Sequence, residues 1–337
     1  MAEERITLAQ GDGGLATHRL IKELFHPLLS NPTLERGGDS AVLALPHGPG
    51  RIAMTTDSFV VSPIFFPGGD LGRIAICGTV NDLSVAGSRP LWLTAGFILE
   101  EGFPVADLKR IVTAMGQTAA EAGVTVVTGD TKVVARGQVD GCFINTSGVG
   151  WVMPGLDLGA HRVQPGMAII VSGGIGEHGV AVLSARAGLA FETQVSSDVA
   201  PLNRLSAAVM AASPHLAMMR DPTRGGVATA LAEIAADSGC DLVLAEEEVP
   251  VQPGVTAACE MLGLEPLYLA CEGRMLAFCP TDEVDAAVAA MRSLPEGAGA
   301  KVVGYVGGRG GRAFLRTPMG GTRRLEMLAG ENLPRIC

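Results

Sequence analysis

Residues 168–188 read AIIVSGGIGEHGVAVLSARAG. The stretch over 168–172, apolar up to Ser172, fits a strand buried on both faces, the glycines at 173, 174 and 176 let the chain turn tightly, and 177–188 follows with helical spacing. Strand, glycine loop and helix in that order form an α/β unit. Immediately upstream, Pro154, Gly155, Pro165 and Gly166 punctuate a linker. A second folding unit therefore begins near 155–165, in keeping with a chain of 337 residues, about twice a typical domain. The expected division is 1–155, 156–325 and a flexible tail over 326–337, where Gly, Pro and charge occur without apolar periodicity.

Outward from that boundary, the first half predicts a helix over 17–28 capped by Thr17 and ended by Pro27. A strand over 51–56 runs into Asp57. A helix over 72–86 is broken at Arg89-Pro90, and a helix over 107–121, capped by Asp107, leads into a strand over 124–128. A further strand covers 139–149. The second half adds helices over 202–212 and 225–237 and strands over 242–245, 274–279, 301–306 and 312–316. The fold class is α/β (α+β), with two mixed domains.

Composition narrows the function. Hydrophobic residues make up 47% and charged residues 18%, so the chain folds. A net charge of -10 argues against general attraction to nucleic acid or anionic lipid. With no long apolar span and no signal-peptide core, the expected location is cytoplasmic. The seven cysteines show no CxxC pair, and six lie in apolar surroundings that suit core thiols. Cys337 is the last residue. Only four of the 25 basic residues are lysines, which singles out Lys132 in TGDTKVV.

Acids recur at strand ends or beside small residues: Asp39 in GGDSAV, Asp57 in TTDSFVV, Asp82 in GTVNDLSVAG and Asp130 in TGDTKVV. Converging from different loops, such acids suit a nucleotide-metal site, while each alone equally fits an Asx turn or a helix cap. Gly129, Asp130, Thr131 and Lys132 follow a β-branched strand, so their amides, hydroxyl and ammonium would surround a phosphate or form an ordinary turn. No Walker loop occurs. Asp221 and Arg224 lie in RDPTRGG, at a helix start that Thr223 would cap, either an anion site or a plain capped helix. Glu272 in ACEG is a turn residue or, if buried, an acid or base. The thiol of Cys337 ends a flexible arm, from which it can enter a pocket or pass between sites; an incidental terminal cysteine is the alternative.

Taken together, TTDSFVV (55–61), FFPGGD (65–70), GTVNDLSVAG (78–87), EEGFP (100–104), TGDTKVV (128–134), RDPTRGG (220–226), CEG (271–273) and the ending LPRIC resemble the HypE family of hydrogenase maturation factors, within the superfamily of ATP-using aminoimidazole ribonucleotide synthetase and selenophosphate synthetase. Family members usually carry a histidine before a glycine-rich run; here the run is Gln10-Gly11-Asp12-Gly13-Gly14. The resemblance implies a homodimer paired through the N-terminal sheets, with ATP and Mg2+ bound near that interface. It also implies a carbamoyl group delivered by a HypF-type partner to Cys337, dehydrated with ATP to a thiocyanate, and passed as cyanide to iron on a HypC-HypD complex. In that scheme Asp57, Asp82 and Asp39 hold the metal, Lys132 neutralises phosphate charge and Glu272 is the base, with Asp221 and Arg224 in the same pocket. The rivals are a superfamily synthetase or kinase acting on a diffusing small molecule, and a nonenzymatic carrier.

Overall fold

The architecture is that of a computed structural model describing residues 4–11, 14–36, 40–41, 43–46, 48–188, 195–328 and 335–337. The N-terminal half opens with α1 (Leu15–Leu20), a π-helical turn Ile21–Phe25 and α2 (His26–Leu29). Then come β1 (Arg51–Phe59), the short pair β2 (Phe65–Phe66) and β3 (Gly69–Asp70), α3 (Leu71–Val85), β4 (Ser88–Glu100), α4 (Val105–Ala122), β5 (Thr125–Val134) and β6 (Cys142–Val152). The C-terminal half contains β7 (Ala168–Val171), α5 (Glu177–Ala187), α6 (Asn203–Ala212), β8 (Met218–Arg220), α7 (Gly226–Ser238), β9 (Cys240–Ala245) and α8 (Pro253–Leu262). It closes with β10 (Leu276–Cys279), α9 (Val284–Arg292), β11 (Lys301–Arg309), β12 (Ala313–Arg316) and β13 (Thr322–Leu325).

Two mixed sheets result, as the α/β reading expects. The first runs β1-β6-β4-β5 and the second β13-β12-β9-β11-β7-β10-β8. In β1 the odd residues Ala53, Thr55, Asp57 and Phe59 turn inward and the even ones face out, the alternation of a sheet covered on one side. The cover is α3, in which every residue except Arg73 and Asp82 is buried. That explains an apolar helix with little amphipathic bias. Asp70 caps it by accepting from the N–H groups of Gly72 and Arg73 at 2.8 and 2.9 Å.

Several local expectations are corrected. The helix containing Pro27 continues to Leu29; the missing N–H of the proline is accommodated behind a widened π turn. Gly14, not Thr17, stands at the cap of α1, and Pro104, not Asp107, at the cap of α4. Asp107 pairs instead with Arg110. Arg89 and Pro90 do not merely break a helix. They open β4, the 13-residue central strand, where a register shift between Pro90 and Trp92 accommodates the proline. Residues 129–132 belong to β5, paired in parallel with β4, rather than to a loop after a strand. Thr223 gives no side-chain cap; α7 begins after Gly225 in the left-handed region at φ 74°.

Close helix packing depends on small residues. A Cβ on Gly72 would stand 2.1 Å from the Ile111 carbonyl oxygen in α4. Gly72→Ala should therefore push α3 from α4 and cost about 2 kcal/mol, read as a lower midpoint in urea denaturation with an unchanged slope.

Candidate active site

Strand β1 and helix α3 bring two carboxylates together. Asp57 points inward from β1 opposite Thr146 of β6, and Asp82 is the one acid of α3. Their closeness depends on Gly78, where a Cβ would stand 2.8 Å from the Phe59 ring and 3.5 Å from Asp57 Oδ2. The Ser58 N–H donates to Asp57 Oδ1 at 2.7 Å, and the Thr55 hydroxyl to Asp82 Oδ2 at 2.8 Å.

The C-terminal half adds two loops. Beyond β8 the chain buries Asp221 and passes through Pro222 and Arg224 to the glycines that start α7. The Cys271 N–H donates to the Pro222 carbonyl at 3.0 Å, tying this loop to the one that carries Glu272. Asp198 accepts from the N–H groups of Glu272 and Gly273 at 3.3 and 3.4 Å. From the other domain, Asn81 donates to the carbonyls of Ala200 and Glu272 at 3.1 and 3.0 Å and accepts from the Leu202 N–H at 2.8 Å.

The terminal cysteine lies in the middle of this cluster. Cys337 is 8% exposed, and Arg224 Nε donates to its sulfur at 3.1 Å. The structure therefore brings Asp57, Asp82, Asp221, Arg224, Glu272 and Cys337 together. Asp39 and Gly13 lie outside the described residues. The other six cysteines are buried free thiols, as a core role expects.

Burial dominates the electrostatics. It pushes the pKa of Glu272 well above the carboxylate range, with Asp198 and Asp221 adding repulsion, and Glu272 Oε1 has no hydrogen-bond partner. Asp221 is raised to about 7 by burial and by Asp82. Asp57 is raised by burial and, after the opposing Ser58 N–H, by Asp82; burial also raises Asp82 itself. Cys337 is pushed up to about 12, chiefly by burial and next by Glu272, against the pull of Arg224. The docked thiol is protonated at neutral pH. Buried acids that repel one another while presenting oxygen donors suit a hard cation, and Mg2+ ordinarily adds waters and phosphate oxygens to one or two carboxylates. Among the described residues no three His, Cys, Asp or Glu side chains form a ready metal cage.

Lys132 lies elsewhere. Asp57, Thr146, Ala95 and Gly129 form one row across the sheet, and Asp130 falls in the next row, with its neighbours Gly96, Asn145 and Ser58. Side chains of adjacent rows project to opposite faces, so Asp130 and Lys132 stand on the outer face, on a strand about 14 Å from β1 across three strand spacings. Lys132 pairs with Asp130 at 2.8 Å, which holds the carboxyl of Asp130 below its usual range. Both border a cavity of about 350 Å³ with Gly129 and Thr131, whose apolar wall includes Ile21, Phe25, Leu29 and Phe97.

Sequence reasoning missed Asn81, Asp198 and His178. An Asn within a mainly apolar helix and a His two residues past a glycine loop are the available signals. His178 is fully buried, with Nε2 2.7 Å from the Ile336 carbonyl.

Two families match this chain: AIR synthase related protein, N-terminal domain, over residues 37–152, and its C-terminal domain over 164–315. The chain is 53% identical to the carbamoyl dehydratase HypE of Rhodobacter capsulatus, covering 100% of this chain and 99% of that protein. It is 42% identical to the carbamoyl dehydratase HypE of Escherichia coli K12, covering 98% and 99%. A crystal structure of hydrogenase maturation protein HypE in complex with ATP superposes with a TM-score of 0.94 at 47% identity, covering 98% of this chain and 99% of that one. A HypE-HypF complex structure matches with a TM-score of 0.80 at 45% identity, covering 92% and 99%. Among the described residues no helix is long and apolar enough to cross a membrane.

The raised pKa of Glu272 predicts the pH dependence of stability. The folded state holds a proton that the unfolded chain releases near the ordinary carboxylate pKa, so this stabilisation is complete below that value and lost as pH rises through the folded value. Asp221 acts likewise up to about 7. Glu272→Gln should be more stable than the wild type by on the order of 1 kcal/mol at pH 8, with the gap closing toward pH 5. Thermal melts across that range measure it.

Proposed function

The chain belongs to the AIR synthase related family and, within it, to the HypE carbamoyl dehydratases, and from that premise we propose that it dehydrates a carbamoyl group carried on its own Cys337. The observation that carries the reading is the sulfur itself, 3.1 Å from Arg224 and inside the acid cluster rather than on the surface.

A carbamoyl group on sulfur carries an oxygen that leaves poorly. Transfer of the γ-phosphoryl of ATP to that oxygen forms a C–O–P link and releases ADP, and one nitrogen proton passes to water as C=N forms. Breaking the C–O bond then expels phosphate with its electron pair, the second nitrogen proton goes to a base, and S–C≡N remains. Glu272 is that base. Burial makes its carboxylate, once ionised, a stronger acceptor than an ordinary glutamate. Arg224 holds the sulfur and offers positive charge beside the reacting carbon, with Asp57 and Glu272 near it. Asp57 and Asp82 would hold Mg2+, which supplies charge neutralisation for the phosphates.

Nucleotide binding falls to the cavity along β5. Its apolar wall suits a base, and Gly129, Asp130, Thr131 and Lys132 at its border suit the ribose and the phosphate next to it, with the rest of the triphosphate directed toward Asp57 and Asp82. Lys132 then serves the nucleotide rather than the thiol. The outer sheet face exposes Ile52, Met54 and Ile98, at 48%, 75% and 42%, an apolar set that pairing with a second copy would bury. Lys132 sits on that same face beside Ile98. A buried, protonated thiol is a poor nucleophile, so loading by a HypF-type carbamoyltransferase takes place with the tail outside the cleft. Delivery of the cyanide to a HypC-HypD iron complex completes the cycle. Free thiols throughout fit a cytoplasmic setting.

Intact-protein mass spectrometry with a HypF-type donor, carbamoyl phosphate and MgATP tests this. The wild type should gain one carbamoyl group and then lose the mass of one water, whereas Cys337→Ala should gain nothing. ATP consumption without any adduct would move the assignment to a kinase acting on a diffusing molecule. Asp57→Asn and Asp82→Asn should load normally and dehydrate at least about 100-fold more slowly.

The rate of dehydration of preloaded protein should rise with pH through an inflection above the ordinary carboxylate range. Glu272→Gln should remove that rise along with most of the activity.

A further inference from the structure

The last three residues are held largely through their main chain. The N–H groups of Val60 and Ser62 donate to the carbonyls of Cys337 and Arg335 at 3.0 and 3.2 Å. Arg335 Nε returns a bond to the Val60 carbonyl at 2.9 Å. The tail thus runs antiparallel to 60–62, just beyond β1, with Arg335 in the left-handed region at φ 54°. The carbonyls of Arg335 and Cys337 face 60–62, whereas that of Ile336 between them points away and meets His178. Arg186, further along α5, donates to the Arg335 carbonyl and, through Nε, to the Ser62 carbonyl, both at 2.8 Å.

His178 is built for a single bond. A carbonyl only accepts, so Nε2 carries the hydrogen directed at Ile336. Burial pushes the imidazole pKa down, which keeps the ring neutral. Nδ1 therefore accepts from the Ser197 hydroxyl at 2.8 Å, and the Ser197 oxygen in turn accepts from the Val199 N–H at 3.1 Å. Phe66 meets the ring edge-on, with centroids 5.4 Å apart and planes at 88°. None of these hydrogen bonds goes to the acid cluster. A fully buried histidine, fixed on its other sides, spends its one donor on the residue before the terminal cysteine.

We propose that His178 is the positioning residue of the tail: it sets the register at which the terminal thiol enters the cleft, with Arg186 as a second hold one carbonyl earlier. The Ile336 side chain, 3% exposed within the N-terminal core, supplies apolar affinity. Apolar contact is non-directional and does not fix a register; a hydrogen bond to one carbonyl does. A shift of one residue would turn that carbonyl away from His178 and carry the sulfur off Arg224. The resting place of the thiol needs no carbamoyl chemistry, whereas the share of His178 in dehydration rests on the function proposed above.

The test is the rate at which a thiol reagent modifies Cys337 in the native full-length protein, followed by intact mass and peptide mapping. In His178→Ala, Cys337 should react about tenfold faster while Cys77 and Cys142 stay protected. His178→Gln, which keeps an N–H donor, should restore much of the protection, and Arg186→Ala should give a smaller change in the same direction. An unchanged Cys337 rate in folded His178→Ala overturns the proposal. So does equal acceleration at Cys77, Cys142 and Cys337, the mark of general loosening. If His178→Ala does not fold, Ser197→Ala and Arg186→Ala are judged by the same criteria. In the carbamoyl assay, His178→Ala should load at least as fast as the wild type and dehydrate more slowly; equal slowing of both steps overturns the positioning role. Failure of the wild type to form any adduct would instead remove the dehydratase reading and leave the labelling result standing.

Discussion

The side-chain amide of Asn81 joins the two halves of the molecule at the point where the site needs them fixed. It satisfies two carbonyls and one N–H of the C-terminal half from a fully buried position in α3. Unmet main-chain groups at such depth cost more than the bonds themselves contribute, so the contact is hard to open. Its sequence neighbour is Asp82, and one of the carbonyls it holds belongs to Glu272. One peptide step thus links an acid of the first domain to the acid of the second, and a hinge motion between the halves would disrupt both.

What that clamp holds in place is electrostatically unfavourable. Asp57, Asp82, Asp221 and Glu272 converge with Arg224 in a region where burial raises every one of the acids. A fold selected for stability alone would replace such a cluster with apolar side chains. Perturbed acids gathered around one buried sulfur mark a candidate site, and the function proposed above would use them for phosphate charge, a cation and proton transfer. The orphaned Glu272 oxygen shows the same imbalance at the level of a single atom.

Much of this was legible in the sequence. TTD, NDL, RDPTRGG, CEG and the final cysteine were singled out as separate strings, and the fold assembles their residues around one sulfur. The two-domain division followed from linker punctuation and a restarted strand, and the sheets fall on either side of it. The missing parts have physical reasons. Strand β4 was hidden because Pro90 reads as a breaker unless a register shift accommodates it. The segment 129–132 reads as a phosphate loop until its strand pairing is known. Only the two-residue alternation of that strand then shows that Lys132 leaves the sheet on the side opposite Asp57. Asn81 and His178 act through main-chain partners more than 100 positions away, which no local pattern encodes.

The seat of Cys337 also changes the kind of kinetics to expect. The cleft and its occupant belong to one chain, so occupancy is an intramolecular equilibrium governed by effective concentration rather than by how dilute the protein is. A group attached to that sulfur meets the acids in a first-order process, with no Michaelis constant of its own. It also remains covalently held between chemical steps. Under the function proposed above, a small, reactive fragment handled this way would not be free in solution between steps.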